Sequence, residues 1–158
     1  MVRRSPERRD DEVTDPEAHG PIDTLIIEFP ADASGGETVA ALVALLERGT
    51  VSVYDLVVVE KPGAGAAREV DLTDSPDAPL GAFAALADLR SGLLGDEDVA
   101  AASEVLEPGR VAIAMVYENT WAAPFAAAAR GEGAELVAST RLTADEIMDA
   151  LDAVEALD

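Results

Sequence analysis

The chain has 158 residues, of which 32 are acidic and 11 are lysine or arginine, and its formal net charge is −21. It contains no cysteine, which excludes disulfides, thiolate metal sites and thiol nucleophiles. The negative charge repels the phosphates of nucleic acids and of anionic membrane surfaces, so we expect neither as a partner.

Residues 1–20 are rich in charge and poor in large apolar side chains. Such a segment buries too little apolar surface to offset its conformational entropy, so we predict a disordered tail there and a single α/β domain at residues 21–158. The only histidine, His19, falls in the predicted tail, which argues against a Ser-His-Asp triad or a multi-histidine metal site. No apolar run is long enough for a bilayer span and no signal-peptide pattern is present, so we expect a cytoplasmic location.

Apolar periodicity predicts the elements of the first half of the domain. Alternating side chains indicate a strand at Ile22–Phe29. A helical stripe follows and ends at Gly49, with apolar residues at Val39, Leu42, Val43 and Leu46. Val51–Glu60 and Arg68–Leu72 then form two strands of a hairpin around a glycine-rich turn. That turn, Gly63-Ala64-Gly65, lacks the third glycine and the following helix of a dinucleotide fingerprint, so no cofactor is predicted.

The second half alternates helices and strands. Its predicted elements are a helix at Leu80–Leu94, a short helix capped by Asp96, a strand at Val111–Tyr117, a helix opened by Trp121, a strand at Ala134–Thr140 and a last helix that begins with the capping box Thr143-x-x-Glu146. The resulting order is β-α-β-β-α-β-α-β-α. Its first six elements match a ferredoxin-like (split βαβ) core with both helices on one sheet face, and the rest forms a C-terminal α-β-α extension.

The second face of this predicted sheet is apolar and needs cover. It is predicted to carry Ile26, Val58, Ala112, Ala114 and Val116. Pairing of two subunits through the open face would bury it, so we expect a homodimer or larger homo-oligomer. The alternative is cover within the chain by the helix at Trp121 and the helix at Thr143–Leu157.

Three predicted strands end in a glutamate: Glu28, Glu60 and Glu118. Clustered carboxylates bind Mg²⁺ or Ca²⁺ or share a proton. In the predicted topology the fourth strand runs opposite to the first two, so Glu118 lies at the far end of the sheet from Glu28 and Glu60. We therefore predict no metal site and no catalytic residue, since charged residues at strand ends are usually solvated or act as caps.

The corner at Glu118–Trp121 has two interpretations. The favoured one makes Trp121 a core anchor where a strand turns into a helix, because tryptophan is mostly buried. The alternative makes Glu118, Asn119 and Trp121 the wall of a ligand-binding site.

Two motifs resemble those of a known family. One is Gly20-Pro21-Ile22-Asp23, leading to Glu28-Phe29-Pro30, and the other is Tyr117–Phe125, YENTWAAPF. Together they resemble an uncharacterised, mainly actinobacterial family of small acidic α/β proteins, itself similar to a bacterial group of predicted membrane-associated proteins. Asp55-Leu56 fits the same pattern. The resemblance covers about Gly20 to the C-terminus and implies the fold boundaries but no activity, ligand or cofactor.

The membrane-associated group carries a glycine-rich hydrophobic hairpin in its middle. Leu80–Leu94 is too short and too polar to be one, so the resemblance implies no membrane role. The sequence thus favours a non-enzymatic, self-associating assembly or regulatory module. The alternative is a small-ligand or divalent-cation binding protein that uses the strand-end glutamates and the Glu118–Trp121 corner.

Overall fold

The computed structural model of the protein describes residues 19–73 and 78–157. The chain divides into two compact units, residues 1–128 and residues 129–158. The predicted disordered tail lies outside the described residues except for His19 and Gly20. Those two residues belong to the folded first unit and contact Glu118, so for them the prediction of disorder is wrong.

Four strands of the described residues form one antiparallel sheet in the order β1-β4-β2-β3. They are β1 (Ile22–Phe29), β2 (Ser52–Glu60), β3 (Arg68–Val70) and β4 (Val111–Glu118). β1 pairs with β4 along its whole length, from Ile22 opposite Glu118 to Phe29 opposite Val111. β4 also pairs with β2 and is buried on both faces, as its continuous apolar run predicts.

The α+β class is as predicted, but the strand order differs from the ferredoxin-like one. A ferredoxin-like sheet has its first and third strands in the centre, whereas here the second and fourth strands are central and β1 lies at an edge of the described sheet. The two arrangements share the same order of elements along the chain. The two arrangements differ in which strands pair with each other. The periodicity of apolar residues within a strand does not predict its neighbours.

Helix α1 (Gly36–Glu47) and a 3-10 helical segment (Gly81–Leu89) pack on the first face of the sheet. The sequence predicted a longer α-helix at Leu80–Leu94. The structure has two short 3-10 pieces there, joined at Leu86, whose backbone is not helical. Their apolar residues recur at every third position, which matches three residues per turn. These residues are Leu80, Phe83, Leu86 and Leu89, and all pack into the first core cluster.

Helix α2 (Asp96–Val105) packs on the opposite face, which the sequence analysis left open or assigned to the helices at Trp121 and Thr143. Together with Leu94 and Leu106 it covers the central strands there, at Val57, Val59, Ala112, Ala114 and Val116. Val58, predicted to share this face, instead points into the first cluster. Ile26 does lie on this side, opposite Ala114, and remains 43% exposed.

After β4, a 3-10 turn (Thr120–Ala122) leads into α3 (Ala123–Gly131). Helix α4 (Ala144–Glu155) begins with the predicted capping box, in which the hydroxyl of Thr143 accepts from the Glu146 N–H at 3.2 Å and the Glu146 carboxylate accepts from the Thr143 N–H at 2.7 Å. None of the helices in the described ranges is long and apolar enough to cross a membrane.

The predicted strand at Ala134–Thr140 has no regular secondary structure, so the predicted α-β-α extension consists of two helices and a connection. A strand needs a neighbour for its N–H and C=O groups. The β propensity of Leu136 and Val137 does not supply one, because measured β propensity largely reflects packing against neighbouring strands.

Candidate functional site

A β-bulge in β2 sets two polar side chains next to each other on the second face. Val53 lies opposite Tyr117 and Asp55 lies opposite Val116, so Tyr54 is the additional residue. An extra residue interrupts the alternation of side chains between the two faces. As a result Tyr54 and Asp55 both reach groups on the second face, and each contacts a different part of the chain.

Glu118 is fully buried and is surrounded by hydrogen-bond donors. Its Oε1 accepts from the hydroxyl of Tyr54 at 2.8 Å and lies 2.7 Å from Nδ1 of His19. Its Oε2 accepts from the backbone N–H of Gly20 at 3.1 Å. When Glu118 is ionised its oxygens only accept, and the proton of this contact is then on Nδ1 of His19. The cluster holds the beginning of the described chain against the end of β4.

Gly20 has a steric reason to be glycine. A Cβ there would lie 2.2 Å from the carbonyl oxygen of Asn119 and 3.2 Å from the backbone nitrogen of Ala123. Any other residue would push the chain off the corner and move Pro21, whose carbonyl accepts from the Asn119 N–H at 2.7 Å.

The two motifs of the sequence resemblance therefore meet in space. The side-chain amide of Asn119 donates to the Pro21 carbonyl at 3.2 Å and to the Asp23 carboxylate at 2.8 Å. Asn119, predicted as a ligand contact, thus holds the beginning of β1 beside the end of β4.

Trp121 is not a core residue. Its side chain is 67% exposed, and that of Phe125, four residues on, is 79% exposed. The backbone N–H of Trp121 donates to the carbonyl of Thr50 at 3.2 Å, so the corner is held by its main chain while the indole stays at the surface. The prediction of a core anchor is wrong because the buried side chain of this corner is Glu118.

Glu28 and Glu60 lie at the opposite end of the sheet from Glu118. They face β4 at Ala112 and Val111, so β4 separates the two glutamates. Each has an arginine nearby: Arg110 Nε lies 3.3 Å from Glu28 Oε1, and Arg68 Nε lies 2.7 Å from Glu60 Oε1. The structure does not bring the three glutamates together.

Asp55, to which the sequence analysis gave no role, is a second fully buried carboxylate. It accepts from Nη1 of Arg90 at 2.6 Å and from the backbone N–H groups of Ser91 and Leu94 at 2.8 and 2.7 Å. Arg90 also bonds Glu69 of β3, with Nε 2.7 Å from Oε1. Between Leu89 and Leu94 the chain passes from the first core cluster to the second, and Asp55 fixes that crossing.

The surroundings of Asp55 favour its charged form. Burial acts to raise the pKa of Asp55, but hydrogen bonds from the N–H groups of Leu94 and Ser91, together with Arg90, outweigh it and lower the pKa. The pKa of Arg90 is raised, chiefly by its hydrogen bond to Glu69. An aspartate in the middle of the apolar run SVYDLVVVE was the sequence signal for such a group, because a lone buried charge needs a partner.

No group of three histidine, aspartate or glutamate side chains suited to a metal ion occurs among residues 19–73 and 78–157. A shallow groove beside β3 and α2 is lined by Lys61, Arg68, Glu69, Val99 and Ser103, among others. Nζ of Lys61 is engaged there with the carbonyls of Ser103 and Leu106, at 2.6 and 3.1 Å, at the end of α2. The polar side chains around Asp55, Glu118 and Lys61 thus connect segments of the fold to one another.

The sequence was compared with protein families, curated proteins and solved structures. The sequence model of a family of unknown function, DUF6325, matches residues 18–157. No curated protein and no solved structure matches. The matched range begins one residue before His19, so it contains both halves of the Glu118 cluster.

Proposed function

We propose that this chain, which belongs to the DUF6325 family, is a non-enzymatic assembly module that self-associates in the cytoplasm through its edge strand β1. The observation that carries the proposal is the exposure of β1. Three of its isoleucines, Ile22, Ile26 and Ile27, are 53%, 43% and 41% exposed. They lie on a strand eight residues long that pairs on one side only within the described chain.

A long apolar edge strand favours pairing with another strand, because it presents both unpaired backbone groups and uncovered side chains. Proteins that remain monomeric usually protect such an edge with a lysine, a proline, a bulge or a short strand. The sequence of β1, IDTLIIEF, contains no lysine or proline, and its pairing with β4 has no shift in register. Its two charged residues, Asp23 and Glu28, lie toward the ends of the strand. The centre of the strand therefore lacks these protections, which supports association through it.

The buried carboxylates support a structural role over catalysis. Asp55 and Glu118 accept hydrogen bonds from backbone N–H groups of distant segments, and both are fully buried. An acid–base catalyst must instead come within hydrogen-bond distance of a substrate proton. Engagement with the fold is the arrangement expected of groups that position chain segments.

The net charge of −21 opposes association of like molecules, so ionic strength provides a test. Salt screens exposed charges over a Debye length of about 10 Å at 0.1 M. Association through apolar and backbone contacts of β1 should therefore strengthen as salt is added. Association through exposed ion pairs would weaken.

Light scattering after size exclusion, at several concentrations and at low and high salt, measures the assembly directly. We expect a dimer of the 16.4 kDa chain that is favoured by high salt. Ile26→Lys should convert it to a monomer, because a lysine on an edge strand disfavours pairing. Trp121→Ser is the matched control, as it removes an exposed apolar side chain outside β1 and should leave the dimer intact.

Two results would contradict this proposal. A wild-type monomer at every concentration and salt level would exclude self-association. If Trp121→Ser disrupts the dimer and Ile26→Lys leaves it intact, the interface lies at the surface around Trp121.

A second candidate function is ligand binding at the Glu118–Trp121 corner. The observation in its favour is the pair of exposed aromatic side chains, Trp121 and Phe125, which offer a stacking surface for an apolar or aromatic ligand. Trp121 is the only tryptophan, so its fluorescence reports ligand binding without a label. A change in emission that Phe125→Ser abolishes would support this function.

The divalent-cation form of this candidate rests on Glu28 and Glu60. Calorimetric titration with Mg²⁺, Ca²⁺ and Mn²⁺ tests it. Binding heat that Glu28→Gln or Glu60→Gln removes would support a cation site. Absence of heat with all three ions would exclude it.

A further inference from the structure

The hydrogen bonds at the beginning of β1 define which backbone groups face the edge that pairs with no other strand of the described residues. The carbonyl of Pro21 accepts from the N–H of Asn119, which continues β4, so residue 21 is directed toward β4. Backbone groups alternate in direction along a strand, so Asp23, Leu25 and Ile27 are directed toward β4 as well. The N–H and C=O groups directed away from β4 are those of Ile22, Thr24, Ile26 and Glu28.

The same alternation sorts the side chains of β1. Ile26 lies opposite Ala114 and therefore shares the second face with Thr24 and Glu28. Leu25 and Ile27 lie on the first face, where Leu25 packs against the first core cluster. The middle of the open edge is thus uncharged on both faces, and the acidic residues Asp23 and Glu28 lie toward the two ends of the strand.

We propose that two copies pair through antiparallel β1 strands, with Ile26 of one copy opposite Ile26 of the other on a two-fold axis. This inference rests on the proposed function and specifies how self-association occurs. Leu25 then lies opposite Ile27 on the first face, and Thr24 lies opposite Glu28 on the second. The two sheets join into one continuous sheet, and every outward N–H and C=O of Thr24, Ile26 and Glu28 gains a partner.

The neighbouring registers are worse. An axis at Leu25 sets Ile22 opposite Glu28, and an axis at Ile27 sets Ile26 opposite Glu28. Either shift places a carboxylate directly against an isoleucine, which disfavours burial of both. An axis between two residues pairs side chains of opposite faces, which antiparallel pairing does not allow. The register centred on Ile26 sets Asp23 opposite Phe29, but the Asp23 carboxylate is held by the side-chain amide of Asn119 at 2.8 Å. Because this register also pairs Ile26 with Ile26 at the axis, it is the one that the apolar positions favour.

The charges indicate a second copy as the occupant of this edge. A basic partner strand would be recognised by an acidic edge, whereas the centre of β1 is neutral. At one end, the Glu28 carboxylate is engaged with its own chain, 3.2 Å from the Glu107 N–H and 3.3 Å from Nε of Arg110. Each copy therefore meets an uncharged strip of the other despite a net charge of −21 per chain.

The chain has no cysteine, so single cysteines introduced at β1 report the register without background. Hydrogen-bonded residues opposite each other in an antiparallel pair have Cα atoms about 5.5 Å apart, which suits a disulfide. Mild oxidation of Ile26→Cys should therefore convert most of the protein to a disulfide-linked dimer. Thr24→Cys should stay uncrosslinked, because four residues of offset at about 3.4 Å per residue separate its two copies.

A mixture of Thr24→Cys with Glu28→Cys should crosslink, since these positions face each other across the proposed axis. A mixed disulfide between a Thr24→Cys chain and an Ile26→Cys chain, told apart from the Ile26→Cys homodimer by a mass tag on one variant, would instead indicate an axis at Leu25 and overturn the inference. A mixed disulfide between Ile26→Cys and Glu28→Cys chains would indicate an axis at Ile27 and do the same.

The solution mass of the reduced variants separates the two levels of failure. A dimer in which Ile26→Cys does not crosslink overturns this register and leaves the proposed self-association in place. A monomer overturns both. Slow amide exchange at Ile26 in that monomer would show that a strand of the same chain occupies the edge.

Discussion

Asp55 and Glu118 are both fully buried, and both lie on the second face of the sheet, yet they connect different parts of the chain. Asp55 accepts from a permanent cation, Arg90, and from backbone N–H groups 36 and 39 residues away. Glu118 accepts from a tyrosine hydroxyl, from an imidazole and from a backbone N–H 98 residues away. The first fixes a crossing between the two sheet faces. The second joins the beginning of the described residues to the end of β4.

The partners of Asp55 and Glu118 show two ways in which a fold stabilises a buried carboxylate. At Asp55 a guanidinium supplies a full positive charge, and Glu69 in turn engages that guanidinium. At Glu118 the contacts include two neutral donors, the hydroxyl of Tyr54 and the N–H of Gly20, beside the imidazole of His19. Removing a partner should therefore be most damaging where a full charge is left behind.

The largest expected effect is that of Asp55→Ala. It leaves Arg90 without one of its carboxylates, and it leaves the buried N–H of Leu94 and the half-buried N–H of Ser91 without their acceptor. We expect a loss of about 3–5 kcal/mol in the free energy of unfolding, measured by urea denaturation. Asp71→Ala is the control, because Asp71 bonds Thr73 at the surface. Equal losses in the two variants would contradict the role assigned to Asp55.

Glu118→Gln should have the next largest effect. The amide keeps the shape of the side chain but has one acceptor oxygen where the carboxylate has two, so either Gly20 or the Tyr54–His19 pair loses its bond. We expect a loss of about 2–3 kcal/mol, the range for hydrogen bonds to charged groups. Glu60→Gln removes a more exposed carboxylate at the other end of the sheet and should cost at most about 1 kcal/mol.

Tyr54→Phe removes one neutral donor and should cost about 1–2 kcal/mol. The loss should be smaller in a Glu118→Gln background, because the two substitutions affect the same hydrogen bond. A double-mutant cycle measures this coupling. Additive losses would mean that the hydroxyl of Tyr54 stabilises the fold through another group.

The smallest expected effect is the loss of the Asp55 contribution in acid. The pKa of Asp55 is lower in the folded chain than in the unfolded one, so its contribution is complete above the unfolded value of about 3.9 and is lost as pH falls through the folded value. The difference in unfolding free energy between wild type and Asp55→Asn should therefore shrink as the pH falls below the unfolded value. A difference that is constant with pH would contradict the assignment. Comparing the variant with wild type at each pH cancels the effect of protonating the other carboxylates, which is the same in both proteins.

Several features of the fold follow from short stretches of sequence. The strand at Ile22–Phe29 has the predicted bounds because Pro30 ends it and its apolar pattern has a period of two. Helix α4 begins at the predicted capping box because the side chains of Thr143 and Glu146 bond N–H groups within one turn. The separation of Glu118 from Glu28 and Glu60 also follows from the sequence, since it depends only on strand direction.

The features that the sequence did not predict depend on contacts between distant residues. The pattern of Leu80, Phe83 and Leu86 suits an α-helix in part and a 3-10 helix fully, and packing in the first core cluster decides for the latter. His19 looks like part of a tail until Glu118, 99 residues later, provides a hydrogen-bond partner. Trp121 looks like a core residue until the same carboxylate occupies the inside of the corner.

By itself the sequence determined the four strands of the described sheet, most of the helices, the capping box at Thr143 and the enzyme classes that its composition excludes, because these depend on local periodicity and residue chemistry. Tertiary structure alone decided the strand order β1-β4-β2-β3, the faces on which the helices pack and the burial of Asp55 and Glu118. The physical reason is that the alternation of apolar residues in a strand shows which of its residues share a face, but does not show which strand pairs with it. That choice left β1 at the edge, and with it the surface through which we propose that the protein assembles.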